Sequence, residues 1–318
     1  MGVIRHLSIL LVLALVSCTK SSQHGEIVAF KSQGYSTELK AVIRDGGFVE
    51  GDKIAVMGYY VPAGENWENY KSKAVPEFMY NQELSLSGGM WHYSPKAYWP
   101  SVPGSKINFY SYFPHSLYST DPEWQSEPGV KISAPDAKGE PSFDFVLSDA
   151  ADIDLMVAVN EGCSSATGPV DLEFHHVLGK LQFKFAVSNE GGFSYIVDKI
   201  RVLQTPKRAT YTWDDGKFTV QTTQTVEAAA GVGSEGVLIN STEPKLVEDF
   251  TMFLMPGELG TIEIIMNNEA PAELDLSELS IVSGQVLTVT VLINLTDISF
   301  STRISDWLVG GTVSGNIN

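Results

Sequence analysis

Apolar and polar residues alternate along much of the chain, and that alternation predicts strands. Leu181, Phe183, Phe185 and Val187 fall on one face of the run Lys180-Leu181-Gln182-Phe183-Lys184-Phe185-Ala186-Val187. Ile262, Ile264 and Met266 share a face after Thr261, and Val289, Val291, Ile293 and Leu295 share one after Thr288. Period two with β-branched content is the mark of a half-buried strand. Asp214-Asp215-Gly216 separates Ala209–Trp213 from Lys217–Val220 and predicts a hairpin, with Gly216 supplying positive φ. No window keeps the 3.6-residue period for three turns with a cap at each end. Gly (28) and Pro (15) break the chain every few residues, as short strands require. The fold class expected is all-β, with two tandem sandwiches.

Aromatic residues crowd positions 59–124, whereas the second half is aliphatic and rich in Thr. Between them, residues 160–169 are mostly small and predict a linker. The expected domains are residues 27–165, aromatic-rich, and 166–318. Rings such as Trp67, Trp91, Tyr98 and Trp99 could stack on sugars, so a surface-exposed glycan-binding lipoprotein is the alternative function. The competing reading is that these rings fill a core with their polar tips at its rim. Strand spacing in Phe109-Tyr110-Ser111-Tyr112-Phe113 favours packing.

Charge narrows the partners. The 318 residues hold 38 acidic and 21 basic side chains, a formal charge of −17. A nucleic-acid partner is not expected, because phosphates call for a basic face. Two cysteines make neither a disulfide framework nor a zinc site built from four thiolates. The amino terminus changes where the chain is expected to act. Arg5 precedes a short apolar run, Leu7 to Val16, too short to span a bilayer. The run ends in Leu15-Val16-Ser17-Cys18, which resembles a bacterial lipobox. Residues 1–17 are then a signal peptide and Cys18 the lipidation site. Residues 18–26 form a lipidated tether, and the membrane is a partner through the lipid on Cys18. Cys163 is left as a small buried thiol.

Signals for chemistry are absent. His175 and His176 are adjacent, so on a strand they point to opposite faces. No H-E-x-x-H, G-x-S-x-G or phosphate-binding loop occurs. Asp149, Asp152 and Asp154 lack the Gly and the terminal Glu of an EF-hand, which leaves at most a loose calcium site. No catalytic residue, metal or cofactor is expected, and the chain does not read as an enzyme.

Several strings, in order along the chain, resemble the fimbrillin family of Bacteroidetes, in its Mfa-like group of type V pilus subunits. They are Phe48-Val49-Glu50-Gly51-Asp52-Lys53-Ile54-Ala55-Val56, Tyr98-Trp99-Pro100 and Phe109-Tyr110-Ser111-Tyr112-Phe113-Pro114. Asp154-Leu155-Met156-Val157-Ala158 and Leu172-Glu173-Phe174-His175-His176-Val177-Leu178-Gly179-Lys180-Leu181 follow, the second placing His176 on the motif histidine. Phe253-Leu254-Met255-Pro256 and Ile304-Ser305-Asp306-Trp307-Leu308-Val309-Gly310 complete the set.

The resemblance implies transthyretin-like sandwiches, export as an outer-membrane lipoprotein, and a final place in the fimbrium at the cell surface. It implies other pilus subunits as partners, and a host or bacterial surface ligand. It also implies assembly by strand exchange. A protease cuts after the first strand, a groove opens, and a strand from a neighbouring subunit fills it. The first strand would be Ile27-Val28-Ala29-Phe30 with its neighbours. Lys40 and Arg44 are the candidate cleavage positions, Arg44 the better because Asp-Gly-Gly follows it. The candidate donor strand presents Ile298, Phe300 and Ile304 on one face, although Trp307 also suits an ordinary final strand. With Asn318 soon after, the short tail leans toward a tip or accessory role.

Overall fold

The computed structural model describes residues 25–32, 47–121, 127–188, 194–229, 236–267, 269–294 and 298–307. Among the described residues, the regular structure is nearly all strand. The first five strands are β1 (Phe30–Ser32), β2 (Lys53–Val61), β3 (Met79–Ser87), β4 (Met90–His92) and β5 (Lys106–Phe113). Next come β6 (Gly129–Ile132), β7 (Ser142–Val146), β8 (Met156–Cys163), β9 (Val170–Leu172), β10 (His175–His176) and β11 (Gly179–Val187). They continue with β12 (Tyr195–Thr212), β13 (Lys217–Ala229), β14 (Val237–Ile239), β15 (Lys245–Leu254) and β16 (Gly257–Glu258). The last are β17 (Thr261–Met266), β18 (Ala272–Asp275), β19 (Ser280–Ile281), β20 (Gln285–Ile293) and β21 (Ile298–Asp306). A one-turn helix, Trp67–Tyr70, is capped by the Asn66 side chain on the Glu68 amide.

Three main sheets organise these strands. The first is antiparallel, in the order β10-β8-β5-β2-β3-β4. The second runs β15-β11-β20-β21, with β11 and β20 parallel. The third runs β18-β17-β12-β7-β6 and carries β13 and β14 on β12. Strands β6 and β7, which precede residue 165, join the sheet built on β12, which follows it. Residues 160–163, expected as linker, are the end of β8 and pair with β5.

The first sheet is buried on both faces, which differs from the one-sided burial that alternation alone suggests. On β5, Ile107, Phe109 and Phe113 enter one core while Tyr110 and Tyr112 enter another. The first core is closed by β1, β9 and the segment around Trp91–Trp99. In the other, Tyr112 meets Phe143 and Tyr110 meets Trp213, 6.0 and 5.8 Å between ring centres. That core continues into the carboxy-terminal sandwich through Leu181, Phe183, Phe185, Val289, Val291 and Ile264, all buried as the alternation predicts.

The expected hairpin at Asp214-Asp215-Gly216 joins β12 to β13, and Gly216 takes φ of 60°. Lys71, beside the short helix, ties the tip of this hairpin down. Its ammonium lies against Asp214, with Glu68 at 2.9 Å and Glu140 at 3.3 Å. The hydrogen bond to Asp214, then that to Glu68, holds the Lys71 pKa well above its usual value.

Candidate functional site

The first-strand reading leads to a groove on the outer face of the first sheet. Residues 26–32 lie in it as an extended segment with strict alternation. Val28 and Phe30 point inward and are buried, while Ile27, Ala29 and Lys31 face out. The pattern follows from period two in a strand with one covered face. Backbone bonds hold the segment on two sides. The Val28 amide donates to Ala97 O at 3.0 Å, and the Trp99 amide donates to Glu26 O at 2.9 Å. The Val170 amide donates to Ala29 O at 2.8 Å, and β1 pairs in parallel with β9 in the register Phe30–Val170, Lys31–Asp171, Ser32–Leu172.

Side chains set that register. The Phe30 ring stands edge-on to Phe109 and Tyr93, with centroids 5.2 and 5.8 Å away. The Tyr93 hydroxyl donates to Val28 O at 2.6 Å, and burial raises its pKa, so it remains a donor. Trp91 Nε1 donates to Ser32 Oγ at 3.0 Å. Lys31 and Asp171 form a 2.8 Å pair that is largely exposed, a contact that aligns more than it stabilises. Burying Val28 and Phe30 contributes about 1.5–3 kcal/mol each.

Beyond β1 the chain re-enters the described region at Gly47, and Phe48 is buried against Trp91, Phe113 and Phe174. Lys40 and Arg44 lie outside the described residues, as does Cys18. Cys163 is buried and free, its Sγ 3.2 Å from Asn160 Oδ1. Burial pushes its pKa up to about 11, so at pH 8 it is a thiol rather than a nucleophilic thiolate. Labelling with a thiol reagent at pH 8 should therefore be slow for Cys163 in the folded chain and complete in denaturant. Rapid native labelling would contradict this burial.

The candidate donor is β21, the edge of the second sheet. It pairs with β20 over nine residues, Phe300 opposite Val291 and Ile304 opposite Leu287. Ile298, Phe300 and Ile304 therefore stand on the core-facing side of that sheet. Ile298 is half-buried and packs on the core, but the opposing layer leaves Phe300 42% and Ile304 52% exposed. An uncovered apolar row on an edge strand is a pairing surface. Trp307 ends the strand differently. It is buried, stacked on His176 at 3.5 Å and on Phe253 at 5.3 Å, with Lys180 Nζ 5.5 Å from its ring. Asp154 meets His176 Nδ1 at 3.1 Å. The motif histidine thus serves as packing for the last tryptophan, an arrangement hidden in the sequence because the two lie 131 positions apart (from His176 to Trp307).

The acidic trio does not converge. Asp149 meets Lys207, Asp152 meets Ser148 and Asp154 meets His176. Among the described residues, no group of three or more His, Cys, Asp or Glu side chains could hold a metal ion. Among them, too, no helix is long and apolar enough to cross a membrane. Of the described Phe, Tyr and Trp rings between positions 59 and 118, Tyr98 alone is exposed, so the aromatic cluster is chiefly core.

Known proteins share this architecture. A fimbrial protein from Bacteroides vulgatus superposes with a TM-score of 0.63 at 19% identity, covering 89% of this chain and 100% of that one. A candidate cell adhesion protein from Bacteroides uniformis gives 0.55 at 16%, covering 89% and 99%. At these identities the likeness is one of fold. In sequence, the chain is 27% identical over 131 residues to fimbrium subunit Fim1C of Phocaeicola vulgatus. That stretch is 38% of this chain and spans about a third (34%) of the relative. The sequence pattern of residues 40–307, nearly the whole described region, matches the family described as fimbrillin-like, and the chain belongs to that family.

Proposed function

We propose that the chain is a subunit of a surface pilus and that it assembles by exchange of its first strand. The observation that carries this reading is the seating of residues 26–32. A short segment with two buried side chains fills a groove between β9, with which it pairs, and the Trp91–Trp99 segment. The segment is followed directly by the stretch that holds Lys40 and Arg44. Cutting there leaves β1 held by non-covalent contacts alone, and its departure opens the edge of β9 beside an apolar slot. Such an edge accepts an incoming strand through backbone hydrogen bonds, with pockets reading alternate side chains. Exposed Phe300 and Ile304, in line with half-buried Ile298, favour β21 as the donor, and subunits joined head to tail form an open filament.

The precursor is anchored in the outer membrane through the lipid on Cys18. The role is structural and adhesive rather than enzymatic. A glycan-binding lipoprotein is less favoured, since of the rings it would use Trp91 and Trp99 are buried and Trp67 half-buried, with Tyr98 alone exposed. Two variants test the parts separately. An Arg-specific protease should cut the chain once early on, give a new amino terminus at Asp45, and produce SDS-resistant multimers. Arg44→Gln with Lys40→Gln should abolish both effects, and multimers that persist in the double variant would overturn the reading. Cys18→Ala should move the protein from the membrane to the soluble fraction, and an unchanged distribution would remove the anchor.

A further inference from the structure

Strand β13 is an edge: among the described residues it pairs with β12 alone. Its nine residues from Phe218 to Val226 contain no charge, proline or glycine. Seven of them, Thr219 to Thr225, are exposed in succession. Native edges are normally blunted by charge, proline or shortness, and this one has none of those guards along the run. Elsewhere the guards are present: β18 carries Glu273 and Asp275, and β21 carries Arg303 and Asp306. On β13 charges return only at the two ends of the run, Lys217 and Glu227, and Thr222 is their midpoint. We propose that this edge is a contact between copies of the chain, in which β13 of one copy adds antiparallel to β13 of a second, centred on Thr222.

Charge selects that register. Lys217 of each copy stands opposite Glu227 of the other, once at each end of the ladder. Centring on Gln221 or Thr223 instead sets Lys217 against Thr225 or Ala229, and the match is lost. Side chains alternate along β13, with Val226 and Phe218 on the core side and Glu227 on the outer one. On the outer side Thr219 meets Thr225 and Gln221 meets Thr223, and cross-strand Thr pairs are favourable. On the core side Thr222 meets itself, and Val220, 43% exposed, gains cover from Gln224. The Glu227 amide donates to Asp149 O at 2.9 Å, so backbone pairing stops at Thr225 and the lysine spans the last step with its side chain. Glu227 already meets Lys199 and Arg201, so Lys217 sets register more than it adds affinity. A ladder of this length is a small interface. On the pilus reading above, copies arrayed along one filament meet copies along another, and repetition multiplies a weak contact.

The uncut Cys18→Ala chain tests the pair without any strand exchange. In sedimentation at about 0.15 M salt, where charges are screened beyond about 8 Å, it should form a dimer as its concentration rises. Thr222→Lys and Thr222→Glu should each weaken that dimer about 5-fold or more, because the new charge meets its own copy. Mixing the two variants should restore a heterodimer at least as strong as the wild-type pair. Thr222 is exposed, so both variants should melt as the wild type does. Oxidation captures the pair directly. Thr222→Cys should give a disulfide-linked dimer, while Gln221→Cys and Thr223→Cys, each diagonal to its own copy, should lag far behind. Cys163 is buried and does not compete. A chain that stays monomeric up to about 1 mM and gives no Thr222→Cys disulfide would overturn the proposal. A dimer that both charged variants leave intact, or a mixture that restores nothing, would do the same. A disulfide that favours Gln221→Cys or Thr223→Cys would overturn the register. None of these outcomes touches the strand-exchange reading, since no cut is made.

Discussion

Phe30→Ala should free the first strand in the intact precursor and leave the processed, assembled subunit unchanged. The ring is 6% exposed and is clasped edge-on by Phe109 and Tyr93, so truncation removes about 3–5 kcal/mol of packing. That loss falls on a segment that contributes only one other buried side chain, Val28. Opening is therefore local rather than global. Hydrogen exchange at the Val28 and Val170 amides should accelerate on the order of 100-fold in the precursor. The Val170 amide in polymer built from cut subunits should exchange at the wild-type rate, because Phe30 has left. Equal acceleration before and after assembly would mean that β1 never leaves its groove.

Trp307→Ala should have a comparable effect at the other end of the exchange. Trp307 closes the final strand by stacking on His176 and Phe253, and its amide donates to Gly284 O at 2.7 Å. The indole is 5% exposed, and its loss costs about 3–5 kcal/mol. Most of β21 has little else to hold it. Its side chains from Ser299 to Asp306 are exposed, so its attachment is the ladder to β20 and this one anchor. The variant should be cut after Arg303 by trypsin under conditions in which the wild type resists. Trp307→Phe keeps a stacked ring and should retain most of that resistance. If Trp307→Ala resists as well as the wild type, the ladder alone holds the strand.

These two residues also show where sequence reading succeeds and where it stops. Alternation is local, so it finds the buried faces of β11, β17 and β20, and turn chemistry finds the hairpin at Gly216. The first strand is legible only through the family resemblance, its run Ile27-Val28-Ala29-Phe30 being apolar throughout. Alternation exposes β21 as a regular strand but cannot say that its apolar row is uncovered, since that depends on how far the opposing layer extends. The eighteen residues of β12 illustrate a second obstacle. Inward positions are even at Ile200 and Val202 and odd at Ala209 and Tyr211, because a bulge at Gln204, with φ of 57°, shifts the strand by one. A reader following period two loses the strand at that point. The pairing of β7 with β12 joins Phe143 to Tyr211 across 68 positions, and no local pattern encodes it. Cys18, Lys40 and Arg44 rest on sequence alone.

The double burial of the first sheet bears on what happens between losing one strand and gaining another. A wall clad on one side collapses when the cladding is stripped, whereas this wall is clad on both. Met57, Tyr59, Tyr110, Tyr112 and Val157 face Phe143 and Trp213, on the side away from β1. Stripping the outer layer leaves these contacts intact, so the vacated subunit keeps its shape and can wait. The two cores divide the labour: one keeps the subunit standing, and the other can be opened and refilled.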